Sequence, residues 1–321
     1  MKVLITGGAG FIGANFIHYW VKTHPEDKIV NLDKLTYAAD LHNLRDLKTN
    51  KNYSFIKGDI SNKSTVDKLA SKVDAIINFA AESHVDRSIA DSSNFLRSNI
   101  IGVHNLLEIS RKHKIRFHQV STDEVYGSLK LGSSVKFTEA SRYAPKNPYA
   151  ATKASADHLV NAYYNTYDLP VTISNCSNNY GPYQHPEKLI PKTIINAILG
   201  NEIPVYGNGL QIRDWIYVED HCSALDIILK KGLYGETYLV GVNNERQNID
   251  VVKMILTQLE VNKDAIKFVA DRPGHDVRYA IDSTKIKKKL GWKPKFGFEN
   301  GLTMTIAHYI KNFKSYSNKL G

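Results

Sequence analysis

Two short segments hold the residue types that proton and hydride chemistry needs. Tyr149-Ala150-Ala151-Thr152-Lys153 sets a phenol and an ammonium four residues apart. On a helix that spacing puts both side chains on one face, and a lysine charge beside a phenol favours the phenolate. Such a phenol can take a hydroxyl proton while hydride leaves the same carbon. Ser121-Thr122-Asp123-Glu124-Val125-Tyr126-Gly127 adds a hydroxyl, Thr122, and two adjacent carboxyl groups, Asp123 and Glu124. Neighbouring carboxyls suit an acid–base pair, since burial and the charge of one can keep the other protonated. Without chemistry to do, the pair would read as a helix cap or a surface turn. A simple oxidation or epimerisation needs Tyr149 and Lys153 but has no use for Asp123 and Glu124.

A third segment, Gly7-Gly8-Ala9-Gly10-Phe11-Ile12-Gly13, satisfies G-x-G-x-x-G through Gly8, Gly10 and Gly13, and a G-x-x-G-x-x-G register through Gly7, Gly10 and Gly13. It lies between an apolar run and a helical pattern, the context in which glycines let backbone N–H groups and a helix N-terminus approach a pyrophosphate. Asp33 ends the next strand-like run, twenty residues after Gly13. A carboxylate there accepts from ribose hydroxyls and repels a 2′-phosphate, so the expected cofactor is NAD; Lys34 tempers that exclusion. Asp59 ends the third run, where it could face the adenine.

The elements that must position these groups follow from periodicity. Strands are expected at 3–6, 28–33, 53–57, 75–81, 116–121 and 171–176, and helices at 11–21, 63–71, 94–113 and 149–167. Alternating strands and helices imply an α/β fold with a Rossmann-type doubly wound parallel sheet built from right-handed crossovers. The pattern loosens after residue 177, where prolines at 182, 186, 191 and 204 punctuate it. Helices are still expected at 189–199, 221–230, 250–259 and 301–313. We therefore read 1–177 as an NAD-binding domain carrying the Tyr/Lys helix. Residues 178–321 read as a smaller α/β substrate lobe, with some chain returning to the first domain. The cleft between the two is the expected ligand site.

Composition excludes several classes. The chain has 321 residues, 42% of them apolar, enough for a sizeable core without a metal or disulfide staple. Two cysteines, Cys176 and Cys222, make no disulfide framework or Cys-rich zinc site, and suggest a reducing compartment. No metal is expected. No apolar run approaches the ~20 residues of a membrane span, and the start lacks the apolar stretch of a signal peptide, so a cytoplasmic location is expected. The net charge of +10 is spread out. Its densest cluster, Lys285, Lys287, Lys288 and Lys289, reads as an exposed helix face with no interleaved stacking aromatics, so nucleic acid is not an expected partner.

These segments give the chain a resemblance to the extended short-chain dehydrogenase/reductase family, and within it to the nucleotide-sugar dehydratases. The resemblance covers nearly the whole chain. It is carried by 6–13, 33–37, Ala80-Ala81-Glu82-Ser83-His84-Val85-Asp86-Arg87-Ser88, 121–127 and 149–153, then by 177–183, 186–191, 211–215 and 271–276. It implies dehydration of dTDP-glucose to a 4-keto-6-deoxy sugar, a lyase outcome with NAD as retained cofactor. Tyr149 would take the O4 proton as C4 is oxidised, Glu124 the C5 proton, and Asp123 would protonate the departing C6 hydroxyl before hydride returns to C6. It places Gly7, Gly10, Phe11, Ile12, Gly13, Asp33, Lys34, Leu35, Thr36, Asp59, Ile60, Phe79, Ala80, Ala81, Glu82, Ser83, Ser98, Tyr149, Lys153 and Asn179 against NAD. It places Ser83, Thr122, Asn178, Lys188, Leu189, Pro204, Val205, Tyr206, Arg213, Asn248, Asp271, Arg272, Pro273, Gly274 and His275 against the sugar nucleotide. Arg213 is the best diphosphate anchor, its planar fork suiting phosphate oxygens; the alternative is an ion pair with Asp214.

The resemblance further implies a homodimer through the helices at 94–113 and 149–167, although their apolar faces could instead cover the sheet. Departures from the family pattern are Ser98 for a usual Thr, Asn175 for a usual Arg, and Ala151 and Thr152 for usual serines. The rival readings are an NAD-dependent nucleotide-sugar 4-epimerase, a dehydratase of another nucleotide sugar, and a non-catalytic NAD-binding protein.

Overall fold

A computed structural model describes residues 1–271 and 273–318. Seven parallel strands form the central sheet: β1 (Lys2–Thr6), β2 (Lys28–Asp33), β3 (Tyr53–Lys57), β4 (Ala75–Asn78), β5 (Arg116–Thr122), β6 (Val171–Cys176) and, much later in the chain, Thr237–Val240. Their spatial order is β3-β2-β1-β4-β5-β6 and then Thr237–Val240. The order reverses between β1 and β4, so the carboxyl ends of those strands open a crevice there.

Side-chain alternation divides the strand residues between two helical layers. Leu4 of β1 and Ile76 of β4 join one apolar cluster with Val103, Leu106, Leu107, Ala156 and Val160 from the helices Val103–His113 and Pro148–Tyr167. Val3, Ile5 and Ile77 point the other way, into a cluster with Phe16, Ile17 and Trp20 of the helix Phe11–Thr23 and Cys222 and Leu225 of the helix Val218–Lys231. Chain beyond residue 177 thus supplies both an outer helix and the last strand of the nucleotide-binding sheet.

The rest of the C-terminal half builds two small sheets. In the first, β7 (Asn178–Tyr180) runs parallel to β9 (Ile212–Tyr217), which pairs antiparallel with β11 (Glu245–Gln247). In the second, β8 (Ile203–Tyr206) pairs parallel with β12 (Ile266–Val269); the strand Thr237–Val240 is β10 in this numbering. Helices Leu189–Leu199, Asn248–Gln258 and Phe298–Lys311 pack beside these strands.

Several expected elements change in detail. The 75–81 run is a strand only to Asn78; the remainder leaves the sheet as a loop toward the crevice. The expected 94–113 helix has a π-helical stretch at Leu96–Gly102, a register that apolar periodicity does not report and that often marks a functional site. The stretch brings the buried Asn99 side chain onto the loop after β4. Its amide accepts from Glu82 N and donates to Glu82 O and to Thr152 Oγ1, at 2.9–3.0 Å. The 149–167 helix starts at Pro148, with Asn147 Oδ1 capping Ala150 N at 2.8 Å. A fixed-φ proline inside an asparagine cap sets Tyr149 in the first turn. Two loop glycines are dictated by packing. Gly7 has φ +71°, and a Cβ there would lie 2.5 Å from Ala80 N; one on Gly13 would lie 2.4 Å from Gly7 O. A bare Gly13 thus lets the first helix approach the end of β1, and a bare Gly7 lets the loop after β4 lie against it.

Candidate active site

One cavity of about 320 Å³ runs along the crevice. At one end stands the glycine loop. The helix Phe11–Thr23 has no acidic residue in its first turn, so its N-terminal field is left for an anion. A Cβ on Gly10 would meet only Gly7 O, at 3.3 Å, and otherwise open space; this is the cradle a pyrophosphate requires. Asp33, buried at the end of β2, accepts from Ala9 N (2.9 Å) and Leu35 N (2.7 Å). Burial pushes its carboxyl up, and those two N–H groups oppose the rise. Leu35 turns with φ +58°, and Lys34 is held 3.0 Å from Asp59. The Lys34 ammonium is thereby committed to a carboxylate, which weakens its claim on a 2′-phosphate. These features fit NAD. Of the expected cofactor residues, all but Leu35 line the cavity.

At the other end β5 delivers Thr122, Asp123 and Glu124. The strand closes in a tight turn in which Glu124 N donates to Thr122 Oγ1 at 3.3 Å, and Gly127 leaves it at φ +83°. Asp123 is buried, with Oδ1 3.4 Å from Thr122 Oγ1 and Oδ2 without a hydrogen-bond partner in the protein. Burial, then the charge of Glu124, then Asp214 hold its carboxyl well above the usual carboxylate range, against a smaller pull from Arg213. Asp123 is therefore the carboxyl of the pair biased toward its protonated form, and it lines the cavity.

Tyr149 lines the same cavity and is buried, its ring edge-on to Phe95 at 6.4 Å. The protein's own groups do not give it the lowered phenol that the Tyr-x-x-x-Lys spacing suggests. Burial and then Glu124 push it well up, while a hydrogen bond from Thr122 opposes them. Lys153 donates to Val120 O at 2.7 Å, and burial pushes its ammonium down against the attraction of Asp157. Asp157, fully buried, accepts at one oxygen from Ser121 Oγ (2.7 Å), Asn175 Nδ2 (3.0 Å) and Tyr143 OH (3.1 Å). Asn175 also donates to Thr122 O at 3.2 Å. The Asn175 amide thus ties Asp157, which faces Lys153, to the strand that carries Thr122.

The expected substrate residues divide into two groups. Ser83, Thr122, Asn178 and Lys188 line the cavity. Pro204, Val205, Tyr206, Asn248, Asp271 and His275 lie around the β8–β12 sheet and the loop after β12, whereas Leu189 opens the helix Leu189–Leu199 and Arg213 lies on β9. Asp271 pairs with His275 at 2.5 Å and accepts from Gln211 Nε2 at 3.1 Å, Tyr206 meets the His275 ring edge-on, and Asn248 N donates to Gln211 O at 2.9 Å. Asn248 Oδ1 and Gln211 Oε1 are buried without protein partners, two acceptors suited to a base or ribose. Pro273 and Gly274 are exposed nearby; Arg272 lies outside the described residues. The Val205 side chain is buried in an apolar cluster, Leu189 packs partly buried against two such clusters, and Pro204 is half-buried on β8. Arg213 makes no ion pair with Asp214. It donates to Ile212 O and Asp276 O, each at 2.8 Å, and stacks on the Tyr279 ring at 4.4 Å, whereas Asp214 accepts from Asn243 N and Asn244 N.

Sequence reasoning missed Gln184, His185 and Glu187, which line the cavity, and Tyr279, the platform under Arg213. Glu187 lies in the 186–191 run already singled out, and Gln184 and His185 fill the gap between that run and 177–183. Tyr279 follows the 271–276 segment by three residues and had no chemical signal of its own.

Comparisons with known proteins agree with this geometry. The pattern of the family described as GDP-mannose 4,6 dehydratase matches residues 4–305. The dTDP-glucose 4,6-dehydratase of Escherichia coli is 48% identical, over 97% of this chain and 94% of its own. The structure of the Streptomyces venezuelae dTDP-glucose 4,6-dehydratase with NAD and TDP bound superimposes with a TM-score of 0.97 at 41% identity, covering 99% of this chain and 100% of that one. The UDP-glucose 4-epimerase of Thermotoga maritima, solved with UDP-glucose, shares the fold with a TM-score of 0.90 at 26% identity, over 98% and 100% of the two chains.

The state of Asp123 has a measurable consequence for stability. An acid whose pKa is raised by folding keeps its proton after the unfolded chain has released it. Its stabilising contribution is complete below about pH 4 and is lost as pH rises toward the folded value. Asp123→Asn removes that loss. The variant is expected to melt roughly 3–6 °C above the parent at pH 8, with the gap closing at about pH 4; differential scanning calorimetry across pH checks this.

Proposed function

Because the chain belongs to the GDP-mannose 4,6 dehydratase family and, within it, stands with the dTDP-glucose 4,6-dehydratases, we propose a division of labour by which its residues convert dTDP-glucose to dTDP-4-keto-6-deoxyglucose. The protein is an NAD-dependent hydro-lyase. NAD, which the glycine loop and Asp33 would hold, would supply a reversible hydride acceptor, for hydride from sugar C4 and for its return to C6. The observation that carries the mechanism is the buried Asp123–Glu124 pair in one cavity with Tyr149 and the glycine loop. An epimerase has no step that requires it.

Thr122 and Tyr149 hold the sugar O4, and Tyr149 OH takes its proton as C4 is oxidised. Tyr149 is raised by the protein's own groups, so the positive charge of the oxidised cofactor and of Lys153 must lower it at the moment of reaction. The C4 ketone acidifies C5. Glu124 takes the C5 proton, and Asp123, holding a proton, gives it to the departing C6 hydroxyl, which leaves as water; as hydride reaches C6, C5 takes back a proton from Glu124, by then exchanged with solvent. Arg213, fixed by two backbone carbonyls and the Tyr279 ring, faces the diphosphate with its remaining N–H groups. Asn248, Gln211 and the 271–275 loop take the nucleoside end. Two buried free thiols support a cytoplasmic site of action, and no helix among the described residues is long and apolar enough to cross a membrane.

We further infer a homodimer through the outer faces of the two helices beside β5. Their inner faces cover the sheet, but Leu96 and Ile101 are 48% and 52% exposed, next to exposed Ala151, His158 and Ala162. Sedimentation velocity at micromolar concentration is expected to show a dimer, and Leu96→Glu with Ile101→Glu a folded monomer; a monomeric parent refutes the assignment.

Glu124→Gln is expected to fold, hold NAD and lose ~10²–10⁴-fold in kcat, the usual worth of one general base. Product formation followed by mass spectrometry checks it, and near-parental turnover removes Glu124 from its role.

A further inference from the structure

His221 takes no part in the steps above, yet it is wholly buried behind the cavity wall, on the helix that continues directly from the Arg213 strand. Its Nδ1 lies 2.9 Å from Asn179 Oδ1. The Asn179 Nδ2 lies 3.0 Å from Ser177 O and 3.3 Å from Cys176 Sγ. The carbonyl of Ser177 can only accept, so the Asn179 atom facing it is the NH2 group. The amide oxygen therefore faces His221, and Nδ1 of His221 must carry the ring proton to donate to it. Nε2 is then a bare acceptor, and it is buried with no partner in the protein. Burial pushes the imidazole down to about 3, so the ring stays neutral and this tautomer persists. An unpartnered buried nitrogen is unfavourable, and an aliphatic side chain would avoid it. A compensating role is implied.

We propose that His221 is a positioning residue for the cofactor: its Nδ1–H locks the Asn179 amide in one orientation and, through it, the Cys176–Ser177 wall of the cavity beside Tyr149 and Lys153. The lock extends in both directions. Cys176 Sγ donates to Ser121 O at 3.3 Å, next to the catalytic turn, and Gln184 Nε2 donates to Asn179 O at 3.0 Å. A flipped amide would set two oxygens 3.0 Å apart at Ser177 and release the thiol. The proposal rests on the reading of the cavity as an NAD site.

The test uses the purified holoenzyme. Nitrogen NMR of histidine-labelled parent protein is expected to show His221 protonated at Nδ1 and bare at Nε2, unchanged between about pH 5 and about pH 9. His221→Leu is expected to weaken NAD binding roughly tenfold, the effect of losing one buried hydrogen bond, read as bound NAD after dialysis and as Kd by calorimetry. His221→Gln, which still offers an N–H to Asn179, is expected to recover most of that loss. A proton on Nε2, or His221→Leu holding NAD as the parent does, overturns the proposal. If His221→Leu does not fold, the tautomer in the parent decides alone. A parent that binds no NAD overturns the reading of the cavity, and the proposal falls with it.

Discussion

Two carboxyl groups on consecutive residues share one dry corner of the molecule, and only one of them can be charged there. That constraint organises the site. Asp123 is sealed behind Thr122 with one oxygen unpartnered, and burial together with its neighbour's charge keeps it protonated. A group held this way works against the stability of the fold at neutral pH, so the scaffold around it has to be strong. It sits at the end of the longest strand of the sheet, flanked by strands buried on both faces.

The same crevice must admit a dinucleotide and a sugar nucleotide at once. Bare backbone at Gly13 brings the first helix onto the end of β1, bare backbone at Gly7 admits the loop after β4, and open space over Gly10 leaves room for a pyrophosphate. From the other side the chain returns twice. The helix Val218–Lys231 packs behind the glycine loop, and the 237–240 strand extends the sheet next to β6. Arg213, proposed to hold the substrate diphosphate, lies on the strand leading into that helix and is thus rigidly referred to the cofactor layer. Rigid elements, rather than loops, set the distance between the two ligands.

The nucleotide-binding half was legible because its signals are local. Glycine spacing encodes close approach of backbone, and unbroken apolar runs encode strands covered on both faces. The imbalance between Asp123 and Glu124 was legible too, since two adjacent carboxyls at a strand end can hardly both ionise. What was not legible depends on partners distant in sequence. The strands of the small sheets are three to six residues long and partly exposed, and they pair across gaps of dozens of residues. The π-helical register at 96–102 follows from Asn99 reaching the loop after β4. Lys153 reaches a backbone carbonyl and Asp157 faces it from the next turn, where helical spacing alone pairs it with Tyr149. Arg213 looked like a partner for Asp214 because they are adjacent; strand alternation sends them to opposite faces.

The central claim is that the carboxyl pair drives loss of water through proton removal at C5. The most direct measurement is incubation of the purified protein with dTDP-glucose in deuterated water, followed by mass spectrometry and NMR of the product. The account predicts loss of one water and one deuterium at C5. A galactose product that retains its oxygen and carries no deuterium at C5 would contradict it.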